Sequence, residues 1–108
     1  MKSKLDMDSG GSVEKLTVTV KGRVTMVGYR AFLAKKAQVL GLTGWVRNAK
    51  ERPFFLGGEV NAYFEGERVQ LEEILEACDN GPLGAGVKEV EAKWSKGKRV
   101  FGSFEILR

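Results

Sequence analysis

Two residue types that often carry enzyme chemistry are scarce in this chain, whose 108 residues include no histidine and a single cysteine, Cys78. Without histidine, the chain lacks the commonest metal ligand and the commonest side chain that titrates near neutral pH. One cysteine cannot form an internal disulfide, and zinc fingers, cysteine–histidine pairs and serine–histidine–aspartate triads are excluded within the chain. The remaining tools are carboxylates, amides, arginines and the backbone, and we expect neither a metal ion nor a cofactor.

Long apolar runs are also missing, and none approaches the roughly 20 residues that a membrane helix needs. The first twelve residues, MKSKLDMDSGGS, lack the apolar segment of a secretory signal, and their serine–glycine cluster is typical of a flexible segment. We therefore predict a flexible N-terminal leader over residues 1–13 and one globular domain over residues 14–108. We expect a cytoplasmic protein that does not bind a membrane.

Charge is distributed unevenly along the sequence. Residues 13–52 contain nine basic and two acidic side chains, whereas residues 53–80 contain one basic and seven acidic ones, within a net charge of +4. The basic block is suited to attracting a small anionic substrate, and a solvated basic face is the structural alternative.

Apolar spacing predicts two helices and five strands, because alternation with a period of two marks strands and spacings of three and four residues mark helices. The predicted order is a strand over residues 16–21, a helix over 30–40, strands over 42–48 and 60–64, a helix over 71–78, and strands over 87–94 and 100–107 separated by a turn at 95–98. This βαββαββ order predicts an α+β fold, a ferredoxin-like βαββαβ two-layer sandwich. Its sheet is expected to be mostly antiparallel, with two helices on one face and an extra C-terminal strand.

Several residues receive structural interpretations. Cys78 falls on the apolar face of the second helix and is expected in the core. Trp45 and Tyr29 are interpreted as packing aromatics rather than substrate platforms. The connection from Asn48 to Gly58 lacks the two-residue Asn-Gly or Asp-Gly turn of a tight hairpin, which predicts a longer, mobile or bulged loop.

The stretch Gly22–Arg30 joins the first strand to the first helix through a short loop with an arginine near each end. Backbone N–H groups in such a loop and at the helix start can converge on an anion, and a guanidinium can hold two phosphoryl oxygens at once. A right-handed crossover makes strands one and two parallel, so Asn48 falls at the same sheet edge. The pattern predicts a phosphate-binding loop that faces Asn48, with Arg30 as its main cation. A surface charge at Arg30 and a turn cap at Asn48 are the structural alternatives.

These residues resemble the acylphosphatase family, whose pattern is G-R-V-Q-G-V-x-[FY]-R, a helix, and then G-x-x-G-W-V-x-N. The first motif is matched within Gly22–Arg30 and the second at Gly41–Asn48. The similarity covers roughly residues 14–107. Two paired motifs around a helix are far more specific than a lone glycine pattern.

The resemblance implies an acylphosphatase, which hydrolyses the carboxyl–phosphate bond of a small-molecule acyl phosphate to a carboxylate and inorganic phosphate. It assigns the phosphoryl group to Arg30 and the attacking water to Asn48. It implies no metal, no nucleic acid partner and a monomer. The substrate-binding loop that it implies comprises Arg23, Val24, Thr25, Met26, Val27, Gly28 and Tyr29.

The chain departs from the family pattern in the loop and in the hairpin. Thr25-Met26 replaces the Gln-Gly pair, and Met26 cannot readily adopt the positive φ that glycine tolerates. The segment after Asn48 is longer than the usual Asp-Gly turn. These departures leave open a catalytically weak acylphosphatase-like domain that binds phosphate or a protein. A third alternative is an RNA-binding module, suggested by the basic and aromatic segment Lys98–Phe104.

Overall fold

A computed structural model describes residues 12–25, 27–50 and 57–108, apart from the Lys50 side chain. In chain order the elements are β1 (Ser12–Arg23), α1 (Tyr29–Val39), β2 (Thr43–Lys50), β3 (Gly58–Gly66), α2 (Arg68–Asn80), β4 (Gly86–Lys98) and β5 (Phe104–Ile106). The predicted βαββαββ order is therefore confirmed.

The five strands form one sheet in the order β4-β1-β3-β2-β5. The pairs β1–β3, β1–β4 and β2–β3 are antiparallel, and β2–β5 is parallel. Because β1 and β2 both run antiparallel to β3, they run parallel to each other and end at the same edge of the sheet. The ferredoxin-like fold with an extra strand is confirmed, and this shared edge positions the candidate site.

The core lies between the sheet and both helices. Alternation along β1 buries Leu16, Val18 and Val20, and the helical spacing of α2 buries Leu71 and Cys78 among others. Burial raises the pKa of the Cys78 thiol to about 12, as expected for a core cysteine. In the part of the chain that the structure describes, no helix is long and apolar enough to cross a membrane.

The predicted turn at residues 95–98 is wrong, because β4 continues through Lys98. Its last four residues pair with Ser12–Lys15 at the start of β1, so the backbone there is extended. The final strand is correspondingly shorter than the predicted 100–107 and covers only Phe104–Ile106.

A buried carboxylate, Glu65 of β3, replaces strand pairing in the segment before β5. Glu65 is 0% exposed and accepts hydrogen bonds from the backbone N–H groups of Val100 and Phe101 and the hydroxyls of Tyr63 and Thr43. Burial alone would raise the pKa of this carboxyl. The hydrogen bonds outweigh that effect, and the pKa lies below its usual value.

Some predictions fall outside the described residues. These are the leader over residues 1–11, Met26, and residues 51–56 of the predicted connection. β1 begins at Ser12, two residues before the predicted domain boundary. After Asn48 the β2–β3 register shifts, with Asn48 opposite Val60 and Lys50 opposite Glu59, so the described part of the connection contains the expected bulge.

Candidate active site

The loop after β1 enters α1 through Gly28, the residue that precedes the helix. Gly28 adopts the left-handed conformation, with φ 74° and ψ 17°, which glycine reaches without steric cost. No described side chain caps the helix start. The first N–H groups of α1 have no acceptor within the helix, and together with the helix dipole they favour an anion at this end.

The first residue of α1, Tyr29, ties this end of the helix to α2. Its ring is 1% exposed, and its hydroxyl donates a hydrogen bond of 2.6 Å to the Cys78 carbonyl. Four positions beyond Cys78 stands Pro82, which has no N–H to donate to that carbonyl. Burial is the largest cause that raises the pKa of Tyr29, so the hydroxyl stays protonated as a donor. Tyr29 is a packing residue, as predicted.

Arg30 follows immediately and extends toward the end of the sheet. Its Nη1 donates to the Leu107 carbonyl at 3.3 Å. The Leu107 N–H in turn donates to the Val46 carbonyl at 2.8 Å. The guanidinium of Arg30 is thereby held beside the carboxyl end of β2.

Asn48 lies at that end of β2, two residues beyond Val46. Alternation therefore places both side chains on the same face of the sheet, the face that carries the helices, where Val46 is buried. The bulge directly after Asn48 leaves Ala49 without a residue opposite it on β3, and bulges near a strand end commonly redirect side chains. The Asn48 side-chain oxygen is shielded from solvent.

A cavity of about 210 Å³ lies at this shared edge. It brings together five predicted site residues, from the loop, the first turn of α1 and the end of β2. The complete lining consists of Val24, Gly28, Tyr29, Arg30, Ala31, Asn48, Ile106 and Arg108. This lining contains two guanidinium groups and no carboxylate, so the cavity is suited to an anion.

Four residues of the predicted loop do not line this cavity or cannot be placed. The Arg23 side chain lies against Gly86, where an added methyl group would approach its Nη2 to 3.1 Å. Thr25 is buried, and Val27 packs against the core. Met26 lies outside the described residues.

Sequence reasoning missed two lining residues, Ile106 and Arg108. Both become neighbours of Asn48 because β5 pairs in parallel with β2, with Ile106 opposite Val46. The available signal was the extra strand itself. Added in parallel beside β2, it ends at the same edge.

The segment that suggested RNA binding has a structural explanation. Phe104 is buried and stacks on Phe64 with ring centroids 5.2 Å apart. The backbone of Val100 and Phe101 is held by Glu65. The segment therefore serves the core and the loop before β5.

Titratable groups in the described residues offer little acid–base chemistry near neutral pH. The pKa of Tyr29 and that of Cys78 are raised by burial, and the pKa of Glu65 is lowered by hydrogen bonds that outweigh its burial. No group of three or more metal-ligating His, Cys, Asp or Glu side chains occurs among the residues described. The arrangement can bind and polarise an anion through arginine, backbone N–H groups and an amide.

Comparison with known proteins agrees with this geometry. Residues 16–106 match the family model of acylphosphatase. An acylphosphatase of Acaryochloris marina is 43% identical over 93 residues, covering 86% of this chain and 92% of that protein. An acylphosphatase of Salinibacter ruber is 35% identical over 98 residues, covering 91% and 97%. The crystal structure of an acylphosphatase from Bacillus subtilis superposes with a TM-score of 0.77 at 29% identity, covering 88% of this chain and 99% of that one.

Proposed function

This chain belongs to the acylphosphatase family, and on that premise we propose that it hydrolyses acyl phosphates at the cavity between α1 and the ends of β2 and β5. The observation that carries the proposal is the convergence of Arg30 and Asn48 on one cavity whose lining holds no carboxylate. A cytoplasmic location is part of the same proposal and is supported by the single buried cysteine.

Arg30 and the start of α1 bind the phosphoryl group in this mechanism. The guanidinium offers paired donors to phosphoryl oxygens, and the first N–H groups of α1 point at the same region behind Gly28. Both are in place before substrate arrives, because Arg30 is tethered to the Leu107 carbonyl and Tyr29 to the Cys78 carbonyl. Donors arranged in advance stabilise the charge on the phosphoryl oxygens as the transition state forms.

Asn48 orients the attacking water through its amide, which can both donate and accept. The water oxygen forms a bond to phosphorus, and the bond from phosphorus to the acyl oxygen breaks. The electron pair of that bond leaves with the carboxylate. The products are a carboxylate and dihydrogen phosphate, which carries both protons of the water.

A carboxylate leaving group explains why the site works without histidine. Its conjugate acid has a pKa of roughly 4, so it departs without a strong general acid. An alkyl phosphate would require protonation of a much more basic leaving oxygen. The site therefore favours acyl phosphates over phosphomonoesters.

The first test is the hydrolysis of benzoyl phosphate by the wild type and by Arg30→Ala and Asn48→Ala. Removing a preorganised donor typically costs about 10²- to 10³-fold in rate, and we expect losses of that order in both variants. Arg47→Ala is the matched control, because Arg47 precedes Asn48 on β2 and packs over the Trp45 ring, 5.3 Å from its centroid, outside the cavity lining. Circular dichroism and urea unfolding establish that each variant is folded.

Equal rates in all four proteins would contradict the proposal. A folded wild type without turnover that still binds phosphate would instead favour the weak phosphate-binding domain. The pH profile is a second check. We expect a rate that changes little between about pH 5 and 8, where no unperturbed side chain of this histidine-free chain titrates. A steep bell-shaped profile centred near neutral pH would contradict this account.

A further inference from the structure

The cavity holds one more cation than the phosphoryl group needs. Arg30 enters from the first turn of α1, and Arg108 enters from the residues that follow β5. Two guanidinium groups on the walls of one small cavity repel each other when it is empty. A ligand that carries negative charge at two places relieves that repulsion.

The two arginines differ in what holds them. The Arg30 guanidinium donates to the Leu107 carbonyl, which fixes it beside the helix start. Within the described parts of the chain, the Arg108 guanidinium has neither an ion-pair partner nor a hydrogen-bond acceptor, and its side chain is exposed. Arg108 is therefore available to a ligand without first breaking an internal contact.

The space in the cavity also exceeds that of a phosphoryl group. A volume of about 210 Å³ corresponds to several water molecules at about 30 Å³ each. With the phosphoryl group on Arg30 and the α1 N–H groups, room remains for a short acyl chain. Ile106 adds an apolar wall next to Arg108.

We propose that Arg108 binds a second anionic group at the far end of the acyl chain, so that the preferred substrates are acyl phosphates of short acids that carry another carboxylate or phosphate. This inference rests on the proposed function, since it places the phosphoryl group on Arg30. It names the substrate class that the site selects.

Binding of two inert analogues separates this inference from catalysis. Acetyl phosphonate and succinyl phosphonate both carry a phosphonate joined to a carbonyl by carbon, and only the second has a distal carboxylate. By isothermal titration calorimetry we expect the wild type to bind succinyl phosphonate about 5-fold or more tighter, the range of an exposed to partly desolvated charge pair. Arg108→Gln should reduce that ratio to near one. Lys93→Gln, which removes an exposed cation from β4 outside the cavity lining, should preserve it.

The same ratio is then measured as kcat/KM for succinyl phosphate over acetyl phosphate. A wild type without preference for the diacid overturns the inference, and so does an Arg108→Gln variant that weakens both analogues equally, since Arg108 would then hold the shared phosphonate. In either case, wild-type turnover of acetyl phosphate leaves the proposed function standing. A wild type that binds neither phosphonate overturns the phosphate site itself, and the inference with it.

Discussion

Replacing Tyr29 by phenylalanine removes one oxygen atom and tests how the site is attached to the fold. The Tyr29 hydroxyl is the donor to the Cys78 carbonyl at 2.6 Å, between the first residue of α1 and the last turn of α2. Because Pro82 supplies no N–H and α2 ends at Asn80, the carbonyl has no replacement donor within its own helix. Phenylalanine keeps the ring in the core and leaves a buried acceptor unsatisfied.

The expected cost follows from that burial. A lost hydrogen bond that leaves a buried acceptor unsatisfied typically costs about 1–3 kcal/mol. With the Tyr29 ring 1% exposed, water cannot easily take the place of the hydroxyl, so we expect about 2 kcal/mol. For a domain of this size, that loss lowers Tm by about 8–16 °C.

Urea unfolding followed by tryptophan fluorescence measures the change, with the m-value checked for constancy. Tyr63→Phe is the matched control. It also removes one hydroxyl, but its acceptor Glu65 keeps hydrogen bonds from Val100, Phe101 and Thr43. We expect about 1 kcal/mol for the control. A Tyr29→Phe cost below that of the control would refute the reasoning that Cys78 depends on this donor.

Three further changes test the fold around the site. Glu65→Gln should cost about 2 kcal/mol at pH 7, since hydrogen bonds to a charged group are involved; because the folded-state pKa of Glu65 is lowered, its contribution is full above the unfolded pKa near 4.5 and is lost as pH falls through the folded pKa. Urea unfolding of both proteins from pH 7 downward checks this, and a gap that does not narrow in acid would argue against it. Gly28→Ala should cost only about 1 kcal/mol, because its φ is 74° but no atom outside its chain neighbours lies within 4 Å of an added methyl group. Gly22→Ala should cost clearly more, because its methyl group would collide with the Gly86 carbonyl oxygen, and equal thermal shifts for the two variants would disprove this contrast.

The order of elements could be predicted because it depends on local periodicity, whereas one strand boundary depended on a distant partner. Ser95-Lys96-Gly97-Lys98 has the composition of a turn. It is extended because it pairs with Ser12–Lys15, a segment that sequence reasoning assigned partly to a flexible leader. Propensity is a weak prior, and the long-range ladder decides the conformation here.

Half of the candidate site could be predicted in the same way, from the rule that a right-handed crossover brings two strand ends to one edge. That rule placed Arg30 and Asn48 together, and the structure brings both to one cavity. Arg108 could not be found like this, because nothing in the alternation of Phe104–Ile106 states which strand it joins or in which direction. Its place depends on the parallel ladder to β2.

The position of β4 at the edge of the sheet has a consequence for the behaviour of the protein in concentrated solution. Its 13 residues extend over about 43 Å, with backbone groups on the outer side that a second chain could pair with. Six exposed charged side chains interrupt this edge, at Lys88, Glu89, Glu91, Lys93, Lys96 and Lys98, and the Trp94 ring is covered by the Arg68 guanidinium at 3.6 Å. Any chain that added to this edge would have to desolvate those charges, which makes β4 a poor template for edge-to-edge aggregation despite its length.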